Sequence, residues 1–410
     1  MRRVSLWAAG ALAAALAALP GCSLAPRSMA ACEAPKASDQ ARVDACTAAI
    51  REGAAGRTLA DAYRNRGDAE RDLGDVARAA QDLGQAIRLN PNDDDAYASR
   101  ALARGTLDDL AGARDDDSQV VRIRPSADAY VTRSVADYAL RDYEAAIADA
   151  AKAIELKPDW AGGWAAQGYG YLGKGEYEVA LADFASALRL SPQFMSAVNG
   201  RAAAFRSKHD YDAALAVCTD AIKADPTNLA AFACRADTYD AKGDYAGALA
   251  DYNQAIAVDG QQAWLYLGRS SVQLDAGDGA AALADADKAL SMEPKDPMAL
   301  NNTCWARALS NTALPEALAD CQRALATLPR DAPTIDSRAM VYFRMGRLAD
   351  ALAGYDEALR LDPTLASSRF MRGIVKRRLG DAAGGLADLA AAEKADPTIA
   401  RLYAKYGVAP

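Results

Sequence analysis

The sequence predicts an all-α chain of about ten stacked helix–turn–helix units, and three observations carry that prediction. Prolines fall on a fixed beat at Pro91, Pro125, Pro158, Pro192, Pro226, Pro294, Pro329, Pro363 and Pro397, with gaps of 33 to 35 residues and one of 68. Gly260, another helix-stopping residue, stands at the midpoint of the double gap. Placing each stop at position 32 aligns small residues in columns, with Ala at position 20 in nine units and at position 27 in nine. A repeat of this period is a helical hairpin that buries its apolar face only against its neighbours, which makes a solenoid.

The N-terminus reads differently. Met1-Arg2-Arg3 is basic, residues 4–19 are apolar, and Pro20-Gly21-Cys22 follows, which is the layout of a secretory signal. The run is short and Ala-rich for a membrane span, so an uncleaved anchor is the lesser reading. Leu19-Pro20-Gly21-Cys22 resembles a bacterial lipobox, which implies lipidation of Cys22, although Pro20 departs from the small residue usual there. Cleavage after Ala30, with Ser28 and Ala30 as the small residues, is the alternative. Residues 1–22 are therefore expected to be a signal and 23–59 a tether with an N-terminal capping half-repeat. Within the latter, residues 39–51 (DQARVDACTAAIR) look like the second helix of a truncated unit.

Ten units then begin at residues 60, 94, 127, 161, 195, 229, 263, 298, 332 and 366 and end at 397. Small residues at positions 8, 20 and 27 let two helices approach, and bulky ones at 4, 11 and 24 fill the space between them. Gly near position 15, as in Lys174-Gly175 and Lys242-Gly243, predicts a left-handed stop, and the following Asp or Glu predicts the next helix start. Residues 398–410 contain a short final helix (TIARLYAKY), expected to cap the last apolar face.

The pattern W-x₂-L-G-x₂-Y…A-x₃-F…P, carried by these columns over residues 60–397, resembles the tetratricopeptide repeat. That resemblance implies a right-handed superhelical solenoid. Position 7, usually Leu, departs from the family. It is Arg at 66, 100, 133, 201, 235, 269, 338 and 372, while position 23 is Asp at 82, 116, 149, 183, 251, 285, 320 and 388. A ligand strip would be local, so a pattern running the whole array reads as Arg–Asp pairs between helices. In the second unit, Asp115-Asp116-Asp117 sets an acid at position 24, making it the expected weak unit. The acidic run Asn92–Asp95 lacks calcium-loop spacing and reads as a solvated face.

Six cysteines follow Cys22, and facing residues of an antiparallel hairpin lie equally far from its turn. Cys218 and Cys234 flank Pro226 evenly, Cys304 and Cys321 flank the Asn311–Ala313 turn, and Cys32 and Cys46 flank Ser38-Asp39. Three disulfides, Cys32–Cys46, Cys218–Cys234 and Cys304–Cys321, in an oxidising compartment are the expectation. No two cysteines have metal-finger spacing and His209 is the single histidine, so no metal is expected.

Function is expected to lie in binding. The chain has 410 residues and net charge −8, with no catalytic motif or phosphate loop, and nothing points to nucleic acid, a cofactor or an enzyme. The family lines its inner surface with first-helix positions 2, 5, 9, 12 and 13. Carried onto this chain, these give Val131, Val135, Tyr138, Ala165, Tyr169 and Leu172, then Asn199, Arg206, Asp237 and Asp240. Farther along come Trp264, Leu267, Leu274, Met340, Phe343, Phe370, Ile374, Arg377 and Arg378. Position 2 is never Lys, which argues against the family's carboxylate clamp. The expectation is a non-catalytic scaffold of the bacterial envelope, facing the periplasm and lipid-anchored to the outer membrane, as Ser23 after Cys22 implies by resemblance, that takes a protein or peptide in its concave groove. The alternatives are an accessory subunit of an envelope enzyme and a self-associating structural protein.

Overall fold

The computed structural model describes residues 28–35 and 37–409, which form 23 α-helices and, among the described residues, no strand. Residues 1–27, with Cys22, lie outside them. The chain parts into two compact units, one ending at Arg124 and one beginning at Pro125.

The first unit holds a short helix, Met29–Cys32, the half-repeat helix Asp39–Arg51, and repeats 1 and 2. Ser38 caps the half-repeat by accepting from the Ala41 amide, and Ala49 is fully buried. Repeat 1 is Gly56–Asp72 with Val76–Leu89, its first helix starting one turn ahead of the sequence register; repeat 2 is Asp94–Thr106 with Leu110–Ile123. Asp93 is not a solvated acid. It is buried, accepts both Arg64 bonds at 2.9 and 3.1 Å, and caps the Ala96 amide, while Arg124 pairs with Asp94 and Asp95.

In the second unit, repeats 3 to 10 start their first helices at Ala127, Ala161, Met195, Leu229, Ala263, Pro297, Ala332 and Ala366. Their second helices start at Tyr143, Tyr177, Tyr211, Tyr245, Gly279, Leu314, Leu348 and Ala382, and a last helix spans Ile399–Lys405. The starts follow from capping: Asp75, Asp109, Asp142, Asp210, Asp244, Asp278 and Asp381 each accept an amide of the first turn. The turn before them needs positive φ. Gly175 supplies it at 78° without strain, whereas Arg141 and His209 are driven there at 62° and 58°.

Close approach explains the small columns. A Cβ on Gly168 would meet the Phe184 ring at 2.8 Å, and Ala180, Ala187, Ala248 and Ala255 are fully buried. In six repeats the charged columns pair as opposite-sign partners across the hairpin. Arg235 Nε and Nη2 donate to Asp251 at 2.8 and 2.7 Å, and the same fork joins Arg66–Asp82, Arg100–Asp116, Arg133–Asp149, Arg269–Asp285 and Arg372–Asp388. The third arm of the guanidinium crosses to the preceding second helix, at Thr219, Asn253 or Asp356. Arg66, Arg100, Arg133 and Arg269 also lie over the position-4 tyrosine of their repeats, as Arg269 does over Tyr266 at 5.6 Å. Beyond neighbouring repeats, Arg141 reaches Asp362 and Thr364, both at 3.4 Å, 221 and 223 residues along the chain.

Candidate interaction surface

The first-helix face of the second unit has three stretches of different chemistry. Over repeats 3 to 5 it opens into an apolar pocket of about 370 Å³. Val131, Val135, Tyr138, Ala165 and Tyr169, all expected from the register, line it, and Val135 is 59% exposed. Tyr138 and Tyr169 pack edge to face at 6.0 Å, and Tyr169 packs on the core ring of Phe184 at 5.1 Å. The Tyr169 hydroxyl donates to the Ser196 carbonyl at 2.9 Å, and burial raises the pKa of both tyrosines.

Two walls of this pocket escaped the repeat register. Trp160 and Phe194 occupy the N-cap position of the first helices of repeats 4 and 5, where neither makes a cap hydrogen bond. Asp93, Ser126, Asn228, Asp296 and Asp331 hold that position in five other repeats and do cap, whereas Ala55, Gln262 and Leu365 in the remaining three do not cap and are not aromatic. A lost cap costs about 1 kcal/mol. The signal was an aromatic residue at a capping position, which a search for helix-face periodicity passes over.

The middle stretch is charged. Arg206 donates to Thr238 at 3.3 Å, and Tyr252 donates to Asp237 at 2.9 Å. Burial, then the charges of Asp275 and Asp237, push the Asp240 carboxyl up to about 7. Burial raises Asp275 as well, against the opposing charge of Lys405. Asn199 is exposed, Leu172 is half-buried beside Phe184, and Trp264 is 42% exposed. Leu267 is instead a core residue, packed with Ala289 and Ala299.

Over the last repeats the face is covered, and here the structure departs from the expected open groove. Phe370 is fully buried and Phe343 nearly so. The C-terminal helix packs on repeat 10 as a cap should, but the chain then turns onto the inner face. Tyr403 stacks on Phe370 at 5.2 Å, and Arg344 donates to the Tyr406 carbonyl at 2.7 Å. Arg378 lies over Phe343 at 4.5 Å, while Arg377, expected in the groove, is exposed with its stem against Gly385 of the second helix.

The cysteine sulfurs stand at disulfide distance in three pairs, Cys32–Cys46, Cys218–Cys234 and Cys304–Cys321, with Cα separations of 4.6, 5.7 and 5.6 Å. His209 sits in its turn with Nδ1 3.1 Å from the Tyr211 hydroxyl. Among the described residues there is no cluster suited to a metal ion and no helix long and apolar enough to cross a membrane.

A search of curated proteins finds no match. Among solved structures the chain is similar to a tetratricopeptide repeat protein from Parabacteroides merdae, at 20% identity over 60% of this chain and 99% of that one, with a TM-score of 0.47. It is also similar to the APC/C hetero-tetramer Cut9-Hcn1 (14% identity, 90% and 83% covered, TM-score 0.49) and to yeast Tom70 (13% identity, 90% and 91% covered, TM-score 0.46). Family profiles described as tetratricopeptide repeat or TPR repeat match residues 59–107, 127–159, 165–228, 235–273 and 334–365, more than half of the chain. With the hairpin period, the small-residue columns and these matches in agreement, the chain belongs to the tetratricopeptide-repeat family.

Proposed function

We propose that the chain is a non-catalytic interaction scaffold whose open pocket on repeats 3 to 5 receives an apolar segment of a protein or peptide partner. One observation carries the reading: Trp160 and Phe194 stand where a capping side chain would stabilise the helix and wall an exposed apolar pocket instead. Packing does not require the exposed face of Val135, and a partner that covers it removes apolar surface from water. A photo-crosslinker placed at Val135 of the full chain in its host cell should give a discrete protein adduct, lost when Trp160→Ala is added. Labelling no different from a crosslinker on the second-helix surface at Arg189 would defeat the reading. An adduct made only of this chain would identify self-association instead.

The scaffold is placed by this reading in the bacterial envelope, facing the periplasm and anchored through Cys22. The basic start, the apolar run and the cysteine at its end support this, and two or more acyl chains give stable attachment. Cys22→Ser should release the chain from the membrane fraction or leave a precursor. A mature wild-type chain beginning at Ala31 and recovered in soluble form would exclude lipidation.

A further inference from the structure

The last residues of the chain are held as a ligand would be held. A segment that only sealed repeat 10 would need Ile399 and Tyr403 against its helices, and both are buried there. The residues after it go much farther. Tyr406 donates its hydroxyl to the Leu274 carbonyl, 132 residues back, and Lys405 donates to the Asp275 carbonyl. The Lys405 ammonium also lies 5.0 Å from the centre of the Tyr245 ring and faces the Asp275 carboxylate, with Asp240 beside that carboxylate. Tyr403 enters a cleft between Phe370 and Trp305, and Arg344 binds the Tyr406 carbonyl while also taking the Ala308 and Leu309 carbonyls. Each contact belongs to a recognised mode of peptide capture: a ring in an aromatic cleft, a cation on an acidic, aromatic floor, a main-chain carbonyl on an arginine.

The fit is incomplete. The Tyr403 hydroxyl is buried without a hydrogen-bond partner, as are Gln273 Oε1, Asn301 Oδ1 and Ser310 Oγ on the repeats beneath. Buried unpaired polar atoms cost free energy that a better-matched occupant recovers.

We propose that the inner face of repeats 6 to 10 is a docking site for a peptide with the order aromatic–x–basic–aromatic, and that Tyr403-Ala404-Lys405-Tyr406 is its resident competitor. The site therefore selects basic, aromatic segments over acidic ones, because the Asp275 carboxylate, with Asp240 beside it, meets the cation. It is separate from the pocket on repeats 3 to 5, and neither depends on the other.

The test uses the full chain with Tyr403→Ala, Lys405→Ala and Tyr406→Ala combined, beside the wild type, and a fluorescent synthetic peptide of residues 396–409. The peptide should bind the variant at least tenfold more tightly than the wild type, and a peptide carrying Lys405→Glu should lose at least tenfold. Equal affinity for both chains, or no binding to a variant that retains its helical circular dichroism, would overturn the proposal. Hydrogen exchange on the wild type gives a second reading that does not need the variant to fold. Amides of residues 403–408 should exchange at least a hundredfold faster than those of Met371–Val375, and exchange only with repeat 10 as a whole would make the segment a fixed part of the core and end the proposal. Crosslinks from Lys405 to Asp275 of a different molecule, in a dimer, would also overturn it in favour of an interface between copies.

Discussion

Arg201 and Val217 line one cleft, sixteen residues apart, at the separation where six other repeats close an Arg–Asp fork. Arg201 Nε is buried without a partner as a result, and in the preceding repeat Asp183 lies buried with Gln167 in the arginine position. Adjacent repeats thus carry complementary halves of the same missing interaction. Val217→Asp should complete the fork in repeat 5 and raise stability by about 1 kcal/mol. Chemical denaturation of the two chains side by side checks this, and a loss of stability would show that the cleft cannot take a second charge.

Asp183 should make stability depend on pH. Burial pushes its carboxyl up to about 6. The folded state then holds the proton more tightly than the unfolded chain, so the contribution is complete below about 4 and is lost as pH rises through about 6. Unfolding free energies from chemical denaturation at pH 5 and pH 8 should differ less for Asp183→Asn than for the wild type, by up to about 1 kcal/mol after allowance for partial solvation. Gln167→Arg should flatten the profile in the same way, by giving the carboxylate its partner. Unchanged pH profiles in both variants would mean that Asp183 does not hold a proton in this range.

His209 is the better of two positive-φ residues to replace. His209→Gly should gain about 0.5–1 kcal/mol by removing the left-handed strain, net of the extra freedom of the unfolded chain. Arg141→Gly should gain less, because it also loses the contacts to Asp362 and Thr364. Thermal melts ranking the two in the opposite order would contradict this account of the turns.

Buried small residues should be the intolerant ones. Ala180→Leu or Ala248→Leu overpacks a helix contact and should cost ~1–3 kcal/mol. Val135→Ala, on an exposed face, should stay within about 0.5 kcal/mol. The same denaturation series settles the order.

The repeat register was legible because it rests on local rules. The stops at Gly175 and Gly243, the caps at Asp142 and Asp244, and the Ala columns each act within one hairpin or between neighbours, and periodicity reports that range. The charged columns were legible for the same reason. Trp160 and Phe194 were visible as residues but not as a site, since their meaning comes from a cap they do not make. The placement of Tyr406 against Leu274 was out of reach: no spacing rule links residues 132 positions apart, and the order of the inner-face residues is the same whether solvent or the chain's own end lies over them.

The contact of Arg141 with Asp362 and Thr364 changes how the second unit should respond to force. A linear stack transmits a pull link by link, and each link feels only the two beside it. Here repeat 3 touches the turn between repeats 9 and 10, so the intervening repeats behave as a coiled spring whose first and last windings meet. An exposed ion pair of this kind contributes about 0–1 kcal/mol and weakens with salt. Extension should therefore begin with the release of Arg141, at low load and with every hairpin intact, and the load for that first step should fall as ionic strength rises.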